Sequence, residues 1–232
     1  MASYVDMAAG VLSQATRRVE ISAQNIANMA TPGYKRQQAF SVLLEGQSTP
    51  SRVASNPDLT PGKPVQTGAP TDLALLGDGF FAVRSDSGTL YTRSGQFTRA
   101  ADGRLLSAQG HSLQLQGGGD VIVRGDGFKV LPDGSIVEGD APLGKLDIVA
   151  FRDAPGLTPV ADGLFAAGES AVPMDAPATV RQGAYEASNV TGAQEMVEIM
   201  AALRQAETGQ RLVGVYDDLM GRVIGVLGQG GQ

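Results

Sequence analysis

Aspartate followed by glycine recurs at Asp78, Asp102, Asp126, Asp133 and Asp162. Two such carboxylates on facing positions could act as acid and base in glycoside hydrolysis. The same dipeptide also supports tight hairpin turns, because both residues accept positive φ, and this reading explains every instance with one cause. Any Ser-His-Asp triad would have to use the single histidine, His111 in SAQGHSLQL, but no G-x-S-x-G elbow accompanies it. Calcium binding needs several carboxylates in one loop, which no loop here supplies. The glycines of LQGGGDVIVRGDG are followed by neither Lys-Ser/Thr nor a helical pattern, so they form neither a phosphate loop nor a dinucleotide fingerprint. Tyr34, Lys35 and Arg36 form an aromatic-basic cluster too small for nucleic acid, and it reads as a solvated turn. The chain has no cysteine, hence no thiol nucleophile, zinc thiolate or disulfide. The residues therefore point to a protein that is not an enzyme, with no catalytic residue, metal ligand or cofactor.

The elements that position these residues belong to a chain of 232 residues, long enough for a sizeable core. The formal net charge of -6 argues against a nucleic-acid partner. The 31 glycines favour turns and β structure. Absence of cysteine suits the cytosol or an oxidising compartment equally. The first residues, MASYVDMAAGVLSQATRRVE, lack the basic and unbroken apolar regions of a signal peptide. No run approaches the length of a membrane span, so no membrane insertion is expected.

Residues 3 to 30 read as a helix opened by a Ser3/Asp6 capping pattern. Val5, Ala8, Leu12, Ala15, Val19, Ser22, Ile26 and Met29 follow alternating steps of three and four, a heptad seam thinned by alanine and serine. Residues 191 to 228 return to helix, with Thr191 and Gln194 as a second capping box. Met196, Ile199, Leu203, Ala206, Gln210, Val213, Asp217, Met220, Ile224 and Leu227 form its stripe. Each seam needs a partner helix, and the economical arrangement pairs the two. The expected fold class is α+β: N- and C-terminal helices pairing as a coiled coil, around a central all-β domain rich in hairpin turns. The boundaries read 1–40 for the first helix and its turn, 41–70 for an extended Pro/Gly/Ser/Thr-rich connector, 71–182 for the β domain and 183–232 for the second helix. Within the β domain, GKLDIVAF reads as a buried strand.

The stretch AQNIANMATPGYKR resembles the signature of the flagellar axial proteins, the rod and hook subunits of the bacterial flagellum, which runs Ala-Asn-Asn-x-Ala-Asn-x-x-Thr-x-Gly-Tyr/Phe-Lys. Ala23, Asn25, Ala27, Asn28, Thr31, Gly33, Tyr34 and Lys35 match it, and Gln24 departs. The stretch QGAYEASNVTGAQEMVEIMAALRQAE is similar to the second family motif, Gly-x-x-Glu-x-Ser-Asn-Val-x-x-x-x-Glu-Met-Val. Gly183, Glu186, Ser188, Asn189, Val190, Glu195, Met196 and Val197 match, while Ala206 stands where the family usually has an aromatic residue. The β segment DLALLGDGFFAV is also similar to the family's common domain, so the resemblance covers nearly the whole chain.

This resemblance implies a structural subunit of the basal-body rod, of proximal-rod type, with a distal-rod or hook-type subunit as the alternative. Its partners would be copies of itself, other rod subunits and the flagellar type III export apparatus. It would be exported without a cleaved signal peptide and assembled in the periplasm into a helical shaft that transmits torque. The rival class from the residues alone is a periplasmic glycan hydrolase using the Asp-Gly carboxylates. Subunit packing would fall on Val5, Ala8, Leu12, Ala15, Val19, Asn25, Ile26, Asn28, Thr31, Pro32, Gly33 and Tyr34. At the other end it would fall on Gly183, Glu186, Ser188, Asn189, Val190, Glu195, Met196, Val197, Ile199 and Leu203. Asn25 and Asn28 either bind exposed backbone of the turn or of a neighbouring subunit, or are solvated helix-end residues. Pro32 disfavours α conformation at Thr31, and Gly33 permits the reversal.

Overall fold

The computed structural model of the protein describes residues 4–42, 52–151, 156–161, 163–168 and 171–229. Ser3 and Asp162 lie outside the described residues, and the side chains of Val5, Asp6, Asp217, Met220, Ile224 and Leu227 are likewise outside the description. The chain divides into two compact units. One contains residues 1–27, 37–56 and 191–232; the other contains 28–36 and 57–190.

The first unit holds helix α1 (Tyr4–Ala27), the paired strands Gln37–Val42 and Arg52–Pro57, and helix α2 (Gly192–Gln229). The two helices pack against each other. On α1, Ala8, Ala15, Ser22 and Asn25 are buried, with Leu12, Val19 and Ile26 half-buried beside them, so the expected seam does face inward. On α2 the inward positions are Glu195, Ile199, Ala202, Ala206, Gly209, Val213 and Tyr216. This seam shares Ile199, Ala206 and Val213 with the expected stripe. Its other members lie one residue earlier, so Met196, Leu203 and Gln210 face outward. Side-chain volume explains the rotation. A Cβ on Gly209 would lie 3.2 Å from Val11 Cγ1 and 3.3 Å from Leu12 Cγ. Small residues at 202 and 209 let the backbones approach closely, which leucine or methionine there would prevent.

Helix α1 ends at Ala27, three residues before the expected end, and Met29 lies in the following turn, 52% exposed. The N–H of Thr31 donates to the Asn28 carbonyl at 3.0 Å, and the Thr31 hydroxyl bonds Asn28 Oδ1 at 3.2 Å. Such local side-chain bonds compete with the helix. Pro32 and Gly33 then take the second and third places of a turn closed by Tyr34 N–H on the Thr31 carbonyl. Gly33 has φ +68°, as a type II turn requires at that place.

The second unit is β. Its largest sheet has nine strands among the described residues. The main path runs Leu157–Ala161, Leu164–Ala167, Gly88–Thr92, Phe80–Ser85, Ser112–Leu113, Leu105–Leu106 and Thr98–Arg99, antiparallel throughout. Strand Ile148–Phe151 pairs with both Phe80–Ser85 and Pro173–Asp175. Phe81, Val83, Leu105, Leu113, Ile136 and Leu146 are fully buried in the core. The expected buried strand GKLDIVAF is instead two strands, Ala141–Lys145 and Ile148–Phe151, mostly half-buried or exposed; in Phe80–Ser85, by contrast, the first four residues are buried.

Asp-Gly makes hairpins at 102–103 and 133–134, where paired strands flank it and the glycine has φ +88°. At Asp78 and Asp126 the expectation fails. The strands flanking Asp78 pair elsewhere, and Gly127 has no positive φ. Gly79 answers to space instead: a Cβ there would come within 2.8 Å of Ala176 Cβ.

Candidate functional site

Two polar junctions, one in each unit, and one apolar helix face gather the residues that the sequence singled out.

The junction in the β unit is centred on Glu186. Strand Ala184–Glu186 pairs antiparallel with Pro64–Gln66, and its alternation turns Ala184 and Glu186 inward. Glu186 Oε1 accepts Lys35 Nζ at 2.7 Å and Gly62 N–H at 2.8 Å, and its Oε2 accepts Arg93 Nε at 2.8 Å. The Glu186 carbonyl accepts Gly33 N–H at 2.7 Å. Lys35 also donates to the Thr60 carbonyl, and the Arg93 guanidinium to the carbonyls of Gly79 and Gly77. All three charged side chains are at most 3% exposed. Burial lowers the affinity of Lys35 for its proton, and the Glu186 carboxylate opposes that effect. Removing Glu186 would strand two buried cations, at a cost of about 3–5 kcal/mol.

The expected solvated turn at Tyr34 and Lys35 is thus corrected, since they are 5% and 1% exposed. Sequence reasoning also missed Arg93. Its neighbours in YTRSGQF carry no motif that points to Glu186, which is distant in the chain. Gly33 is held close as well: a Cβ there would lie 2.3 Å from Ser94 N, too near for any other residue. Asn189 extends the junction. Its Oδ1 accepts Arg36 N–H at 2.7 Å, and its Nδ2 donates to the carbonyls of Asp58 and Thr60 at 2.8 and 2.9 Å. Gly183 is buried, and Ser188 and Val190 are half-buried.

The junction in the helical unit is built on Asn25, fully buried on α1. Its Nδ2 donates to the Gln37 carbonyl at 2.9 Å and to Glu195 Oε2 at 3.1 Å, while its Oδ1 accepts Gln37 N–H at 2.8 Å. The side-chain amide therefore closes a two-bond ring with one backbone residue, as a strand neighbour would. It also neutralises part of the desolvation of Glu195, which is 0% exposed. Glu195 is placed by the start of α2, where the Thr191 carbonyl accepts N–H groups of Gln194 and Glu195. A solvated role for Asn25 does not fit this burial. Asn28 is half-buried in the turn, with Thr31 and Pro32.

The apolar face lies on α2. Met196, Val197, Met200 and Leu203 are each at least 50% exposed there. Ile199 is half-buried in the seam. The exposed face of α1 is polar by contrast, with Ser13, Thr16, Arg17, Glu20 and Gln24.

The aspartates suggested for hydrolysis are set for turns. Asp102 is held below the usual carboxylate range by its bonds from Arg104, and Asp133 by bonds from Ser135 N–H and hydroxyl. A general acid needs the opposite shift. Among the described residues, no helix is long and apolar enough to cross a membrane.

Helices at both chain ends, a β module between them in sequence and an uncovered apolar helix face suit a structural subunit of a larger assembly. Comparison with known proteins makes this specific. Residues 6–35 match the model described as flagella basal body rod protein. Residues 74–149 match the flagellar hook protein FlgE/F/G D1 domain, and 181–226 the flagellar basal body rod FlgEFG protein C-terminal. The chain is 32% identical to the flagellar basal-body rod protein FlgF of Escherichia coli (93% of this chain, 94% of that one). It is 31% identical to FlgF of Salmonella typhimurium (93% and 94%), and 30% identical to FlgG of Agrobacterium fabrum (91% and 94%). The chain belongs to the flagellar basal-body rod protein family. It is a structural protein of bacterial motility and not an enzyme, which removes the glycan-hydrolase reading.

Proposed function

We propose that this chain is a subunit of the proximal rod, exported through the flagellar type III apparatus and assembled in the periplasm. Its terminal helices would pair as a coiled coil and pack against copies of itself and other rod subunits, so that the assembled shaft carries torque. The observation that carries this reading is the face formed by Met196, Val197, Met200 and Leu203, apolar and at least half exposed. Contiguous exposed apolar surface of this kind marks an interaction site. Repeated heterologous contacts that do not close generate a filament. Similarity to FlgF proteins of two enterobacteria favours the proximal over the distal position. The packing residues would then include this face, together with the α1 seam and the two motif turns.

The test is to purify basal bodies from cells lacking the distal-rod subunit and probe them for this chain. A proximal subunit is retained. Loss of the chain from those particles, with retention in wild-type ones, would assign it to the distal rod instead.

A further inference from the structure

We propose that the β unit is closed to strand addition: its outer strands carry prolines beside their apolar residues, or are covered by side chains, so a partner engages this unit through side chains and not through backbone. An outer strand otherwise presents unpaired N–H and C=O groups that template pairing with another chain. Four outer strands of this unit share one plan, an exposed proline followed directly by an apolar residue. They are Pro64–Gln66 with Pro64 and Val65, Ala141–Lys145 with Pro142 and Leu143, Leu157–Ala161 with Pro159 and Val160, and Pro173–Asp175 with Pro173 and Met174. Each pairs with a single neighbour among the described strands.

Val65, Val160 and Met174 are 38%, 57% and 45% exposed, and Val172, just before Pro173, is 66% exposed. Apolar residues on an open edge would draw strands of a second copy together. Proline supplies no N–H, and its ring stands where an added strand would lie. Two of these ladders are also irregular, with register shifts at Ile136/Val137 opposite Ala141–Lys145 and at Pro159/Ala161. Such bulges twist an edge away from a flat approach.

Outer strands without proline are closed in other ways. Along Phe128–Val130, Gln182 Oε1 accepts Val130 N–H at 3.1 Å and Gln182 Nε2 donates to the Phe128 carbonyl at 3.2 Å. One side-chain amide thus occupies the two backbone groups that a further strand would use. Thr98–Arg99, which ends the nine-stranded sheet, is only two residues long, and its Arg99 guanidinium donates to the Arg124 carbonyl at 2.9 Å. Short, charged edges of this kind pair poorly.

Edge closure is a property of the isolated chain, whatever assembly it joins, and it is tested at the middle of Leu157–Ala161. Pro159→Thr restores an N–H on a good strand former, whereas Pro159→Lys restores the same N–H together with a charge that itself discourages pairing. The full-length purified variants are held folded, well below their melting temperatures, and followed by thioflavin T fluorescence beside the wild type. Pro159→Thr should form β-rich aggregates about tenfold faster than wild type, while Pro159→Lys should stay within about twofold of it. A wild-type rate for Pro159→Thr would show that the ring does not protect the edge. Equal acceleration of both variants would place the effect in lost stability and not in an opened edge. Either result would overturn the proposal.

Discussion

Asn25 carries three hydrogen bonds from a site without solvent access, so its loss exposes a backbone donor, a backbone acceptor and a carboxylate to an apolar setting. Asn25→Ala should destabilise the helical unit by about 2–4 kcal/mol, measurable by urea denaturation followed at the helix circular-dichroism signal. Asn28→Ala should cost less, because Asn28 is only half-buried. Equal losses for the two would show that the Asn25 ring does not matter. A second prediction concerns pH. Burial, and then the charge of Asp175, raise the pKa of Asp147 above its usual 3.8. The folded state thus holds that proton more tightly than the unfolded chain. Its contribution is fully present below about pH 3.8 and lost as pH rises through the folded value. Asp147→Asn should therefore be more thermostable than wild type at pH 7, with the gap closing toward pH 3. A gap that widens in acid would contradict the assigned environment.

At the scale of elements, the helix pair depends on small residues where the backbones meet. Gly209→Leu must displace Val11 or Leu12, at a cost of about 1–3 kcal/mol from overpacking. Thermal melts of the helical signal should show this loss, while the β signal holds. An unchanged melt would mean that α1 and α2 do not pack at residue 209 in solution. The sequence marked both helices correctly because a 3.6-residue period is a local property. It misjudged which side of α2 faces α1. Large apolar residues at 196 and 203 look like core by composition, yet alanine at 202 and glycine at 209 win the seam by allowing close approach. The hairpin reading of Asp-Gly held at 102 and 133 and failed at 78 and 126, because a turn dipeptide says nothing about which strands pair across it.

For the whole molecule, the uncovered face of α2 predicts a separation between folding and assembly. Met200→Glu should leave the stability of the purified chain within about 0.5 kcal/mol, since residue 200 is 58% exposed. The same variant should fail to accumulate in basal bodies, because a charge buried against an apolar partner surface lacks a counterpart. Normal incorporation of Met200→Glu would move the contact surface elsewhere on the molecule.

By itself the sequence determined the helices at both ends, the β module between them, the turn at Thr31–Gly33 and the absence of a catalytic constellation. Each of these rests on local pattern: periodicity, turn chemistry, residue inventory and two terminal motifs. It also marked Lys35 and Glu186 as motif positions, yet Lys35 read as solvated because local composition around it is polar. Only the tertiary structure decided that Lys35, Arg93 and Glu186 share one buried site, that Asn25 meets Glu195, and that α2 turns its methionines outward. Those outcomes depend on pairing between segments up to 170 residues apart. The energy of such pairing lies in partners that a local reading cannot see, and in backbone approach distances set by what is small as much as by what is apolar.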